Sequence, residues 1–326
     1  MEKTTIMFIV IVILVAIVFF ILGTGLSIYY LKNYFVDLFN STMNHFRESF
    51  MDDAKKIEDF YVKYDGLETS YYKNLDVKYN GKYNGKLGRF LIKLCNNCSV
   101  SNYFSDKSKT KENIAPPIPE GIDEFVRIIS PEGHKVGYMF YDTKNKVAIL
   151  IWSSIITATQ WLSVFNFKPM SLPKDIYDDS NVKFHSGFVT DYLSIREKLI
   201  YALQVASIRG CEKIIIAGNS GGGAMSLLSV FDMFENDLIP QVLKDNMHIY
   251  TYGSVRCVNT IAAKYFEKFQ IKTHLRIINV EDPIPSIQPI FSHEEFDHVG
   301  NIMAFEKNLG NLYSNHTKAY LEYLPK

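Results

Sequence analysis

One turn constrains this chain more than any other feature. The run Lys213-Ile-Ile-Ile-Ala217 is apolar on both faces, as a central strand covered by helices on two sides must be. It opens directly into Gly218-Asn-Ser220-Gly-Gly222, which leads into the helical stretch Gly223-Ala-Met-Ser-Leu-Leu-Ser-Val-Phe. Strand, sharp turn and helix in this order are the context a G-x-S-x-G elbow requires. The flanking positions of such a turn tolerate no bulky side chain, and Gly218 and Gly222 supply the room. The turn presents Ser220 at the carboxyl end of a sheet, above a helix N-terminus whose partial positive charge favours an oxyanion. The N–H of Gly221 is the expected first donor to that oxyanion. A phosphate loop would need a Gly-Lys-Ser/Thr ending, which is absent here.

The surrounding pattern agrees. Strands are expected at Phe125–Ile129, Lys135–Tyr141, Val147–Trp152, Lys213–Ala217, His248–Tyr252 and Leu275–Val280. Helices are expected at Gly187–Ile208, Gly223–Asn236 and Thr260–Phe269. This alternation implies an α/β domain over residues 122–326 with a mostly parallel central sheet.

A serine nucleophile needs a base, and the base needs an orienting acid. Asp282 follows the strand Leu275-Arg-Ile-Ile-Asn-Val280, and Pro283 ends strand pairing behind it. His316 lies where a loop meets the last helix, in Tyr313-Ser-Asn-His316-Thr-Lys-Ala-Tyr320. Serine, acid and histidine then occur in the order of the α/β-hydrolases.

The amino-terminal part is of another kind. Ile6–Leu22 is unbroken apolar sequence, and the run continues to Leu31. A helix of about 26 residues is roughly 39 Å long, enough for a ~30 Å hydrocarbon core. Tyr29, Tyr30 and Tyr34 fall where interfacial aromatics belong. Residues 1–33 are therefore expected to be a transmembrane anchor and the protein a single-pass membrane protein, a signal peptide being shorter and ending in a small-x-small site. Residues 34–121 are expected to form a helical and irregular extension. Apolar residues recur at helical spacing over 34–63, whereas residues 65–121 are polar and end in Ala115-Pro-Pro-Ile-Pro119.

Lys+Arg and Asp+Glu both number 35, which argues against nucleic acid as a partner. Four cysteines make no disulfide scaffold, and Cys95-Asn-Asn-Cys98 lacks the second pair that a tetrahedral zinc site needs. A local disulfide or two plain thiols is the expectation there. Sequons at Asn40, Asn97 and Asn315 carry little weight in a chain rich in asparagine.

Several separated blocks resemble the class 3 lipases, the fungal triacylglycerol lipase family. They are Trp161–Pro173, Lys183-Phe-His185-Ser-Gly187-Phe188, Gly218–Ala224, Tyr250-Thr-Tyr-Gly253-Ser-Val-Arg256, Arg276-Ile-Ile-Asn-Val-Glu-Asp282-Pro-Ile-Pro285 and Phe296-Asp-His298-Val-Gly300. The resemblance covers roughly residues 125–325. It implies an α/β-hydrolase fold with Ser220, Asp282 and His316 as the triad, and His298 as the alternative base. It places a second oxyanion donor at Ser154 or Ile155, of which Ser154 is preferred. It also puts a lid over the site in the segment of Ile155, Ile156 and Trp161.

The implied substrate is a lipid ester, and the implied chemistry needs no metal or organic cofactor. The sequence departs from the family at Asn219, usually His, at Gly221, usually Leu, at Val255, usually Pro, and at Trp152–Ile155, usually Arg-Gly-Ser/Thr. These departures leave open a catalytically weak or inactive lipase-like module that binds lipid or a partner. A phospholipase A1 or another serine hydrolase, such as a peptidase or thioesterase, is likewise open.

Overall fold

The structure, a computed structural model, describes residues 63, 83–107, 114–130, 136–154, 168–286, 296–312 and 314–325. All of them fall within one of the two units into which the chain divides, residues 60–326. The apolar run at 6–31, the amphipathic segment at 34–62 and the segment of Ile155, Ile156 and Trp161 lie outside the described residues. Among the described residues no helix is long and apolar enough to cross a membrane.

In chain order the elements are α1 (Gly85–Lys107), β1 (Glu124–Ile129), β2 (Val136–Asp142), β3 (Val147–Trp152), β4 (Pro169–Met170), β5 (Phe184–His185), α2 (Ser186–Ile208), β6 (Lys213–Asn219) and α3 (Gly221–Glu235). Then come α4 (Gln241–Asp245), β7 (Met247–Tyr252), β8 (Val258–Asn259), α5 (Thr260–Lys268), β9 (Thr273–Asn279), β10 (Phe296–Asp297), β11 (Asn301–Phe305) and α6 (Ala319–Tyr323). A 3-10 turn occupies Ile284–Ser286, and a π-helical turn at Ser314–Lys318 precedes α6.

Seven strands form one sheet in the order β1-β2-β3-β6-β7-β9-β11. β1, β2 and β3 pair antiparallel, and β3, β6, β7, β9 and β11 run parallel. This is an α/β-hydrolase architecture with a mostly parallel sheet. Period-2 alternation divides each central strand between two cores. Ala148, Leu150, Trp152, Ile214, Ile216, Met247 and Ile249 face the layer of α2 and α3. Val147, Ile149, Ile151, Ile215, Ala217, Tyr250 and Tyr252 face the other side. Both sets are buried, which is why β3 and the Ile214–Ala217 part of β6 read as unbroken apolar runs.

That second face is closed by α1, and here the structure corrects the sequence reading. Residues 85–107, expected as irregular chain before a domain boundary, form a 23-residue helix. Leu87, Phe90, Leu91, Leu94, Cys95 and Cys98 lie on its buried face and pack on the sheet. Tyr252 donates its hydroxyl to the Gly88 carbonyl at 2.7 Å, tying the strand to the helix. The folded layers therefore begin well before residue 122. Cys95 and Cys98 are free thiols inside this contact, and burial pushes both thiols up, which keeps them protonated. Asn97 is fully buried in the same helix, so its sequon is sterically closed.

Candidate active site

The elbow forms as its glycines require. Ser220 sits between β6 and α3 with φ 56° and ψ −124°, a backbone conformation that a non-glycine residue adopts only under constraint. A Cβ on Gly218 would lie 2.1 Å from the Gly222 carbonyl oxygen, and one on Gly222 would lie 2.3 Å from that of Trp152. Both positions exclude any side chain. The Ser220 amide donates to the Tyr252 carbonyl at 2.8 Å, anchoring the turn to the end of β7. Gly221 opens α3, so its N–H belongs to the first turn, where amides have no carbonyl partner within the helix.

Asp282 and His316 meet. Nδ1 of His316 is 2.8 Å from Oδ2 of Asp282, and both side chains are buried. Each arrives on a shaped loop. Asp282 leaves β9 in a turn in which its own N–H donates to the Asn279 carbonyl at 3.0 Å. Its Oδ1 accepts the Ile284 N–H at 3.0 Å, closing an Asx-type turn that fixes the carboxylate. His316 lies in the π-helical turn at Ser314–Lys318, a geometry that recurs at functional sites.

Two asparagines bind the loops together. Asn279 Nδ2 donates to the carbonyls of Lys307 and Asn315 at 2.9 and 3.1 Å. Asn315 Nδ2 donates to the Glu281 carbonyl at 3.0 Å. Asn315 is thus buried and engaged, which excludes a glycan at that sequon.

The pair and the elbow converge on one residue, Gly253, which follows the Tyr252 carbonyl that holds Ser220. Gly253 has φ +52°, and a Cβ there would lie 2.8 Å from Asp282 Oδ2, 3.0 Å from the Tyr320 hydroxyl and 3.1 Å from His316 Cε1. The outer nitrogen of His316, Nε2, is buried and has no hydrogen-bond partner among the described residues, so no Ser220–His316 hydrogen bond is formed in this structure. Catalytic hydrogen bonds are often loose before substrate binds and tighten only afterwards.

His298 and His185 have structural duties. His298 Nε2 bonds the Pro285 carbonyl at 2.7 Å. Burial, aided by the Arg276 charge, brings its pKa down to about 4. It is therefore neutral, and its Nε2 is engaged, whereas Nε2 of His316 has no partner among the described residues. His185 caps α2, its Nδ1 accepting from the Gly187 N–H at 3.2 Å. Among the described residues no cluster of His, Cys, Asp and Glu has the makings of a metal site.

Ser154 stands beside the elbow with both donors engaged. Its amide donates to Ser99 Oγ at 2.9 Å, and its hydroxyl donates to Asn219 Oδ1 at 2.7 Å. Asn219 in turn donates Nδ2 to the Tyr252 carbonyl at 3.0 Å. Asn219 thus bridges the Ser154 turn to the backbone that carries Ser220. Sequence reasoning passed over Tyr320, whose hydroxyl donates to Asp282 Oδ2 at 2.8 Å. A signal existed in its spacing four residues after His316, on one face of a helical turn. Asn279, Asn315 and Gly253 were passed over as well.

Residues 149–292 match the family described as Lipase (class 3). A lipase of Rhizopus niveus is 26% identical over 177 residues, covering 53% of this chain and 42% of the relative. A protein of Arabidopsis thaliana named phospholipase A1-Igamma3, chloroplastic, is 24% identical over 169 residues, covering 45% of this chain and 32% of the relative. The chain thus spans less than half the length of these curated relatives. Among solved structures, the Rhizomucor miehei lipase propeptide complex superposes with a TM-score of 0.53 at 18% identity, covering 76% of this chain and 80% of that one. That likeness is one of fold. The match to the class 3 lipases thus covers residues 149–292, which include the elbow and Asp282 but not His316, on a fold similar to that of a solved lipase structure.

Proposed function

We propose that this protein hydrolyses carboxylic esters of lipids through an acyl-enzyme formed on Ser220. The observation that carries the reading is the buried Asp282–His316 pair at 2.8 Å, with Cε1 of His316 beside Gly253, which follows the Tyr252 carbonyl that anchors Ser220, and its Nε2 unpartnered among the described residues. His316 takes the Ser220 proton, and the alkoxide oxygen attacks the ester carbonyl. His316 then returns the proton to the departing alcohol. Water, deprotonated by the same imidazole, attacks the acyl-enzyme and releases the acid. Asp282 keeps Nδ1 protonated and stabilises the imidazolium.

The oxyanion receives the Gly221 N–H and the Ser154 hydroxyl. Ser154 exchanges its neutral bond to Asn219 for a charge-assisted one when the oxyanion forms. The apolar run Ile6–Leu22 anchors the chain and holds the site beside bilayer esters, raising their effective concentration. Alkaline carbonate extraction tests the anchor, and release of the full chain into the supernatant overturns it.

A fluorophosphonate probe tests the mechanism. The wild type is expected to be labelled and Ser220→Ala is not; a folded wild type that takes no label supports a binding module instead. The name of the Arabidopsis relative favours phospholipid as a second substrate class. Turnover of short esters, triacylglycerol, phospholipid and peptide amides, compared side by side, decides among the ester classes and against a peptidase.

A further inference from the structure

We propose that helix α1, which lies wholly before the matched region, positions the oxyanion turn, with Ser99 and Asn102 as positioning residues for the reaction. The inference rests on the reading of Ser220 and Ser154 given above.

A line of hydrogen bonds runs from the helix to the nucleophile. Ser99 Oγ donates to the Cys95 carbonyl at 2.8 Å, so its hydroxyl hydrogen is fixed along the helix and a lone pair faces the sheet. That lone pair accepts the Ser154 N–H at 2.9 Å. The Ser154 hydroxyl reaches Asn219 Oδ1 at 2.7 Å, and Asn219 reaches the Tyr252 carbonyl, which also receives the Ser220 N–H. One turn further along α1, Asn102 gives Nδ2 to Ser153 Oγ at 2.6 Å. Asn102 is itself held by the Tyr138 hydroxyl, which donates to its Oδ1 at 2.6 Å. Ser99 and Asn102 are both buried.

The helix therefore grips two consecutive residues just past the end of β3. Pinning the Ser154 amide leaves only its side chain free to turn, and that side chain is the group that must alternate between Asn219 and an oxyanion. A donor held in place before the charge develops needs no reorganisation when it forms. Where the family usually carries Arg-Gly-Ser/Thr at this turn, this chain holds Trp152-Ser-Ser154 from an upstream helix.

Two measurements on the full chain test this. In Ser99→Ala the Ser154 amide is expected to exchange its hydrogen at least about tenfold faster, since it loses its acceptor, while Ile149 and Ile151 within β3 keep their protection. The kcat for a short ester is expected to fall about tenfold with KM nearly unchanged, and Ser99→Thr, which restores the hydroxyl, recovers it. Asn102→Ala, which cuts the second tether, is expected to act in the same direction and serves if Ser99→Ala does not fold. Unchanged exchange at Ser154 in the folded variant overturns the proposal. So does a loss of kcat that Ser99→Thr does not recover. If the wild type hydrolyses no ester, the proposed function fails, and the exchange measurement still decides whether the helix holds the turn.

Discussion

Tyr320 gives its hydroxyl hydrogen to the same oxygen of Asp282, Oδ2, that holds Nδ1 of His316, each at 2.8 Å. The same hydroxyl oxygen accepts the Asn279 N–H at 3.0 Å, so it joins the end of β9 to the Asp282 carboxylate. Burial first, and then the adjoining Asp282 charge, push the Tyr320 pKa far up, so the phenol remains a donor at any working pH. Tyr320→Phe removes one donor from Asp282 and leaves the buried Asn279 amide without its acceptor. The expected cost is about 1–3 kcal/mol of stability. The carboxylate also loses half of what orients Oδ2, so kcat for a short ester is expected to fall about tenfold with little change in KM. Thermal unfolding and steady-state kinetics on the variant check both parts. A kcat equal to that of the wild type would reduce Tyr320 to a packing residue.

Gly253 offers a sharper test of convergence, because it contacts the pair without taking part in the chemistry. With φ at +52° and three site atoms within 3.1 Å of where a Cβ would stand, Gly253→Ala must displace the carboxylate, the imidazole or the turn. A misplacement of about 1 Å costs on the order of a hundredfold in rate. The variant is expected to lose at least that much turnover while its far-ultraviolet circular dichroism stays close to wild type. Retention of wild-type turnover would mean that Asp282 and His316 act elsewhere or not at all.

The parts legible in the sequence are those with local chemical patterns. Strands β3 and β6 are apolar on both faces because helices cover both, and their positions follow directly. The elbow is legible because its glycines are sterically obligatory. Asp282 is marked by the end of β9 and by Pro283. His316 owes its assignment to block order, since nothing local separates it from the other histidines.

What escaped is of two kinds. Helix α1 carries its apolar residues at helical spacing, but Gly85, Gly88, Asn96, Asn97 and Ser99 lower its propensity, and packing on the sheet overrides that. Among the described residues strand β11 pairs with β9 alone and much of it is exposed, and its short run Ile302-Met-Ala-Phe305 shows neither the alternation nor the length that marks a strand. The bridge Ser99–Ser154–Asn219 joins residues more than fifty positions apart, and no local pattern announces such a contact. Asn219 read as a departure from the family; in the structure its two amide ends link the Ser154 turn to the Tyr252 carbonyl.

The last prediction concerns acid. His274 is buried against Gly300, its Nε2 has no partner among the described residues, and burial, reinforced by the Arg276 charge, brings its pKa down to about 4. His298, facing Arg276, Arg256 and Asp297, is brought down to about 4 chiefly by burial as well. Both imidazoles have an ordinary value near 6.5, so between about pH 6.5 and 4 the unfolded chain binds protons that the native chain refuses. Stability therefore rises with pH through that window and is already full above it. For His274 the loss on reaching pH 4 is on the order of 3 kcal/mol. Carboxylates titrate at the lower end of the same window, so the informative range is pH 6.5 to 5, where the histidines dominate the slope. Urea unfolding at several pH values across that range is expected to show a falling midpoint in the wild type. The slope should be smaller in His274→Gln, whose amide carries no titrating proton. Equal slopes in the two proteins would show that His274 charges as readily in the folded chain as in the unfolded one.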